Sequence, residues 1–181
     1  MRTMMVLALL VAGAGATAQV PTSGAAADAL APFDGEWRGP ATLTMPGGTT
    51  RTLIQTERVG PALGGDVRLI EGHSYNPDGS EGGFNALAVI SAGADGAYEF
   101  RSYAKGRAGT FPLKVTPGGF EWAMPAGPDA VVRYTAAVTG GRWHEEGWYE
   151  RGGKRLARVF DMTLNRVGDS AWPAGRAVAP K

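Results

Sequence analysis

The sequence predicts an all-β fold, an up-and-down antiparallel barrel of about ten strands, and three observations carry that reading. Turn signals rich in Gly and Pro recur at near-regular spacing along the chain. Between them lie short segments in which apolar residues alternate with polar ones, the period of a half-buried strand. Gly or Pro interrupts most windows that would otherwise hold a helix longer than two turns. The turns are "MPGG" (45–48), "GPALGG" (60–65), "NPDGSEGG" (76–83), "AGADG" (92–96), "KGRAG" (105–109), "TPGG" (116–119), "PAGPD" (125–129), "TGG" (139–141) and "RGG" (151–153). Every connection is short enough for a hairpin, so a meander is the simplest topology. Closure would remove the two edges that an open meander leaves.

Taken in order, residues 1–18 read as a signal peptide. Arg2 is the basic start, the apolar run from Met4 to about Val11 is too short to span a bilayer, and small residues lead to cleavage after Ala18. Export to the periplasm or outside the cell is therefore expected, with no later membrane span. Residues 19–32 form a linker with one helical turn, Ala25 to Leu30, stopped by Pro32. The barrel domain occupies 33–168, and 169–181 is a flexible tail with two Pro, one Gly and no periodicity.

Alternation assigns the inward faces. They comprise Trp37, Ala41, Leu43 and Met45 in the first strand, Leu53 and Val59 in the second, and Val67, Leu69 and Tyr75 in the third. Leu87 and Val89 follow, then Tyr98 and Phe100, then Phe111, Leu113 and Val115, then Phe120, Trp122 and Met124, then Val132, Tyr134 and Val138. The last hairpin is the most constrained. With Gly152-Gly153 as a two-residue loop, Tyr149 would face Leu156, Gly147 Arg158, Glu145 Phe160 and Trp143 Met162. On the other face Glu150 would meet Arg155 and His144 would meet Asp161, so that one register satisfies both faces.

Composition narrows the function classes. The chain holds 18 Lys+Arg against 17 Asp+Glu, and without Arg2 the mature chain carries 17 of each. That balance lacks the basic excess of a nucleic-acid binder. The absence of Cys rules out disulfides, so the core alone must hold the fold.

In a closed meander the first and last strands are neighbours, so Trp37 and Arg166 are expected to meet at one barrel end, the guanidinium stacked on the indole as structural closure. "GEWRG" at the first strand and "RVFDMTLNRVG" at the last resemble the calycin superfamily of lipocalins, fatty-acid-binding proteins and nitrobindin-like barrels. The resemblance implies a lipocalin-like organisation in which a Gly-x-Trp packs against a late Arg, here Gly35, Trp37 and Arg166. A longer set of stretches, "QTERVGPALGGDVRLIEG", "FNALAVIS", "YEFRSYAKGRAGTFPL", "VRYTA" and "RVFDMTLNRVG", is similar to the DUF1579-type bacterial family, which implies the same fold and no activity. Nitrobindin-like barrels use a proximal His near the last strand. The segment from Leu156 to Arg166 contains none, so no haem or other cofactor is expected.

Parity also places polar groups inward: Gln55 and Glu57, Glu71 and His73, Asn85, Ser102, Tyr134, Glu145 and Arg158. Burying such groups unpaired costs a few kcal/mol each. Either they form a structural network, Glu145 with Arg158 for example, or they line a cavity that orients a small, partly apolar ligand. The expectation is non-catalytic ligand binding. One alternative is an envelope interaction protein working through its outer face, where Trp148 is expected. The other is a hydrolase or isomerase using Glu71 or Glu145 as general base. "EGHSYN" lacks the second Gly and the strand-to-helix context of a nucleophile elbow. No metal site is expected: the two His lie 71 residues apart, and "HEEGW" lacks the second His of a zincin motif.

Overall fold

The structure, a computed structural model, describes residues 29–93 and 96–170. The expected signal peptide, most of the linker and the tail beyond Ser170 lie outside the described residues. Ten strands follow a short 3₁₀ turn at Ala31–Phe33: β1 Gly35–Thr44, β2 Thr50–Ala62, β3 Val67–Tyr75, β4 Ala86–Ala92, β5 Tyr98–Ala104, β6 Arg107–Thr116, β7 Gly119–Pro125, β8 Ala130–Thr139, β9 Arg142–Arg151 and β10 Lys154–Gly168. Each strand pairs antiparallel with its sequence neighbours, and β1 pairs with β10 to close the barrel. The helical turn expected at 25–30 lies mostly outside the described residues, and Pro32 sits inside the 3₁₀ turn that follows, at a first-turn position where its missing N–H costs nothing.

One end of the barrel is plugged. Leu30 and Phe33, both almost fully buried, enter the interior from the 3₁₀ turn. The Phe33 ring packs 4.9 Å from Phe120 and, edge-on, 4.9 Å from Trp143. Trp143 in turn stands edge-on to Trp37 at 5.9 Å. Three polar ties fix the plug. The Trp37 indole N–H donates to the Phe33 carbonyl at 2.7 Å. The Arg68 guanidinium holds the Asp34 carboxylate through Nε at 2.7 Å and Nη2 at 3.0 Å. The Arg166 guanidinium donates to the Asp34 carbonyl oxygen at 3.1 and 3.3 Å. Trp37 and Arg166 are register partners across the β1–β10 seam. The guanidinium contact is with the backbone that leads into β1, and the indole spends its N–H on the same plug.

Three inward assignments are corrected. In β3 the buried positions are Arg68, Ile70, Gly72 and Ser74, so Glu71 and His73 lie on the outer face together with Val67, Leu69 and Tyr75. Hydrophobicity misled here because the inner face of β3 is built from small and ion-paired residues. Glu71 instead pairs with Arg58 at 2.6 Å, and His73 lies 3.4 Å from Glu71. In β4 the buried residues are Ala88 and Ile90 rather than Leu87 and Val89. Met45 is exposed in the β1–β2 turn.

The last hairpin carries a further correction. Glu150 opposes Arg155 as expected, but bulges at Arg155/Ala157 and Arg158/Phe160 then shift the register by two residues. Tyr149 therefore faces Ala157, Gly147 faces Phe160, Glu145 faces Met162 and Trp143 faces Leu164. One bulge alone would turn Phe160, Met162 and Leu164 outward; the second returns them to the core. Arg158 falls between the bulges and points out, opposite Trp148, where it pairs with Glu146 at 3.0 Å and with Asp161. It does not meet Glu145. Leu156 is 58% exposed for the same reason.

Candidate functional site

The interior beyond the plug is a cavity of about 440 Å³. Its wall is set by a belt of register partners running round the barrel: Trp122 opposite Tyr134, Tyr134 opposite Gly147, Gly147 opposite Phe160, and Phe160 opposite Leu43. The Trp122 and Tyr134 rings stack at 4.5 Å with 9° between planes, and Phe100 stacks on Trp122 at 4.4 Å. Gly147 is required in this belt. A Cβ there would lie 2.7 Å from Tyr134 Cε1 and 3.0 Å from Phe160 Cβ, so only glycine lets those two rings close over β9.

Among these apolar surfaces sit two carboxyls. Glu57 on β2 lies between Trp37 and Gly72 in the ladder, and Gln55 Nε2 donates to it at 2.8 Å. Gly72 makes room for it: a Cβ at that position would stand 2.7 Å from Glu57 Oε1 and 2.8 Å from Oε2. Glu145 on β9 lies between Ala136 and Met162. Both glutamates are half-buried and line the cavity. Removal from bulk water pushes Glu57 up to about 8. Its Gln55 hydrogen bond opposes that rise, while the negative fields of Glu145 and, more weakly, Glu71 add to it. Burial likewise pushes Glu145 up to about 7, held back only by the nearby Trp143 indole. That indole N–H makes no hydrogen bond of ordinary geometry, nor does the N–H of Trp122. Burial, with the Glu145 charge, pushes the Tyr134 phenol up to about 12.

The cavity opens at the other barrel end. Phe84 and Lys105 line it there, the Lys105 ammonium 3.6 Å from the Phe84 ring centroid, with the Arg51 guanidinium 5.5 Å from the same ring. Ser74, 1% exposed, anchors this loop: its Oγ accepts from Phe84 N at 2.9 Å and its carbonyl from Gly82 N at 2.7 Å. Asn85 Oδ1 accepts from Ser74 N at 3.4 Å.

Of the residues expected inward, the structure brings Gln55, Glu57, Asn85, Ser102, Tyr134 and Glu145 to this one cavity. Glu71, His73 and Arg158 are on the outer surface. Sequence reasoning missed Phe84 and Lys105, whose signal lay in turn segments without alternation, and Gly72, whose signal was only a small residue opposite a carboxylate. On the outer face His144, Glu146 and Asp161 bring ligand-type atoms within 4.8 Å of one another. Arg158 bonds both acids of that group, so a cation is already in place there. Trp148 is on the outer face, but its ring is covered by Arg155 at 5.3 Å and its N–H reaches Glu146 at 3.3 Å. It offers little free apolar surface to a partner.

No helix among the described residues is long and apolar enough to cross a membrane. No family model matches the chain, and no curated protein matches it. Among solved structures it is similar to Rv2717c from M. tuberculosis, with a TM-score of 0.60 at 14% identity over 80% of this chain and 98% of that one. At that identity the likeness extends to the fold alone, here a closed, ten-stranded antiparallel barrel.

Proposed function

We propose that the protein is a non-catalytic binder of a small, partly apolar ligand, held inside the barrel. The observation that carries this is the 440 Å³ cavity, walled by stacked aromatic rings and furnished with a few convergent polar groups. Small-molecule sites have this size and this lining. Titration with the neutral fluorophore N-phenyl-1-naphthylamine, alongside native mass spectrometry of the purified protein, tests it. Saturable one-to-one binding is expected; a barrel that takes up no probe overturns the reading.

The quoted sequence stretches also support membership of the DUF1579-type family and action outside the cytoplasm, the latter through the basic, apolar and small-residue pattern of residues 1–18. N-terminal sequencing of protein recovered from cells checks export: Gln19 as first residue is expected, and an intact Met1 overturns it.

A second reading is favoured by one observation. A buried carboxyl poised near neutrality, as Glu145 is, suits a general acid or base. Carboxyl titration by NMR decides whether it stands: ordinary acidic values for both Glu57 and Glu145 would remove it.

A further inference from the structure

We propose that the ligand of this cavity is an organic cation: a protonated amine or related basic nitrogen, on a flat apolar body, seated between Glu57 and Glu145. The inference deepens the binding reading above and rests on it.

Four observations converge. First, both carboxyls project into one enclosed space, close enough for the charge of one to act on the other. Their described hydrogen-bonding partners are neutral: the Gln55 amide for Glu57, and a near but unbonded indole for Glu145. Elsewhere in the described structure most interior-facing or half-buried carboxylates have a guanidinium. Asp34 has Arg68, Glu71 has Arg58, Glu150 has Arg133 and Arg155, and Glu146 has Arg158. The cavity pair has no such partner, and an uncompensated buried acid is costly unless a counter-charge arrives.

Second, the site is shaped around the acid. Gly72 leaves the space that the Glu57 carboxyl fills, so the carboxyl is seated rather than incidental. Third, the body of the ligand has a matching surface. The Phe100, Trp122 and Tyr134 rings, stacked on one another, give the cavity an apolar aromatic side for the body of the ligand to pack on. Fourth, the Trp143 side chain is 1% exposed and its N–H is unpaired beside Glu145. It lies toward the Glu145 carboxyl without completing a bond of ordinary geometry, which leaves that carboxyl able to accept an N–H from a ligand.

The same geometry disfavours the anionic lipids that a barrel of this shape might otherwise take. Among the described residues the one cation lining the cavity is Lys105, at the mouth and already against Phe84. A fatty-acid carboxylate lying deep in the cavity would meet two acids and no base.

Isothermal titration of the full chain with three matched probes tests the proposal: 2-naphthylmethylamine, 2-naphthylmethanol and 2-naphthoate. The amine should bind at least about tenfold more tightly than the alcohol, and the carboxylate more weakly than either. Glu57→Gln and Glu145→Gln are near-isosteric and remove a buried acid, so both should fold. Each should lower amine affinity by about tenfold and leave alcohol affinity nearly unchanged. Amine affinity should also rise with pH through the values of about 7 and about 8 at which the pair loses its protons. The groups that face the pair are Tyr134 from β8, which stays protonated throughout, Glu71 from the far side of β3, already ionised by Arg58, and Lys105 at the mouth; β1 presents Trp37 and Gly39. Equal binding of amine and alcohol, preference for the carboxylate, or a flat pH response overturns the cation while leaving the cavity reading intact. Failure of all three probes with N-phenyl-1-naphthylamine still bound also overturns it. Failure of that fluorophore as well overturns the cavity reading itself.

Discussion

The two ends of this barrel spend the same kinds of residue in opposite ways. At the plugged end the polar groups gathered around Asp34 have counterparts: Arg68 meets its carboxylate, Arg166 its carbonyl, and the Trp37 N–H the Phe33 carbonyl. Aromatic edges pack on aromatic faces there. Beyond the plug, Trp143 and Trp122 keep unbonded N–H groups, two acids lack a counter-charge, and about 440 Å³ is left open. Satisfied polar groups and dense packing maximise stability. Unsatisfied ones around a void reduce it, and a fold retains them where something else completes the set. The plugged end serves as frame and the open end as site.

Substitutions should separate those two roles. The largest expected effect is at the frame. Trp37→Ala removes a 1%-exposed indole and its bond to Phe33, and should cost about 3–5 kcal/mol in urea unfolding. Arg68→Ala leaves the Asp34 carboxylate without its two-pronged partner. It should cost about 2 kcal/mol by the same measurement, with fluorophore binding retained once the protein is folded.

At the site the balance reverses. Gly72→Ala places a methyl 2.7 Å from the Glu57 carboxyl. It should destabilise by about 1 kcal/mol while displacing that carboxyl and cutting amine affinity by more than the stability loss accounts for. The pH response is the next measure. Glu57 and Glu145 have folded values above their unfolded ones, so the folded state holds protons longer. Stability should therefore fall as pH rises, from about 4.5 to about 7 for Glu145 and to about 8 for Glu57. Thermal midpoints of the Glu57→Gln, Glu145→Gln double variant should lose most of that slope. The smallest effect is expected outside. Arg158→Ala breaks exposed pairs to Glu146 and Asp161 and should move stability by less than about 1 kcal/mol.

Much of this was legible from the chain. Turn residues gave the strand count, and alternation gave the inner face wherever the inner residues were large: Trp37, Leu53, Phe100, Phe120, Trp122 and Trp143 all point in. Alternation failed where size and polarity no longer tracked burial. On β3 the interior takes Gly72 because a carboxylate lies over it, and Arg68 because Asp34 neutralises it, so the more apolar face is the outer one. In β10 strict alternation put Arg158 inside; two bulges that no turn residue announces put it out. The two cavity acids were both found, because each shares a face with unmistakable core residues. The counter-charge expected for Glu145 was not, because pairing depends on register, and register moved.

The seam between β1 and β10 has a consequence for how the barrel assembles. Every other pairing joins strands adjacent along the chain, through loops of modest length. Only this one must gather groups as far apart as Asp34 and Arg166, 132 positions along the backbone. Closing an unstructured loop of that length costs about 4 kcal/mol in chain entropy. A meander formed hairpin by hairpin shortens the gap before the ends meet. Joining should then come late in folding, and the contacts made there, Arg166 on the Asp34 carbonyl among them, should govern how slowly the closed ring opens rather than how fast it forms.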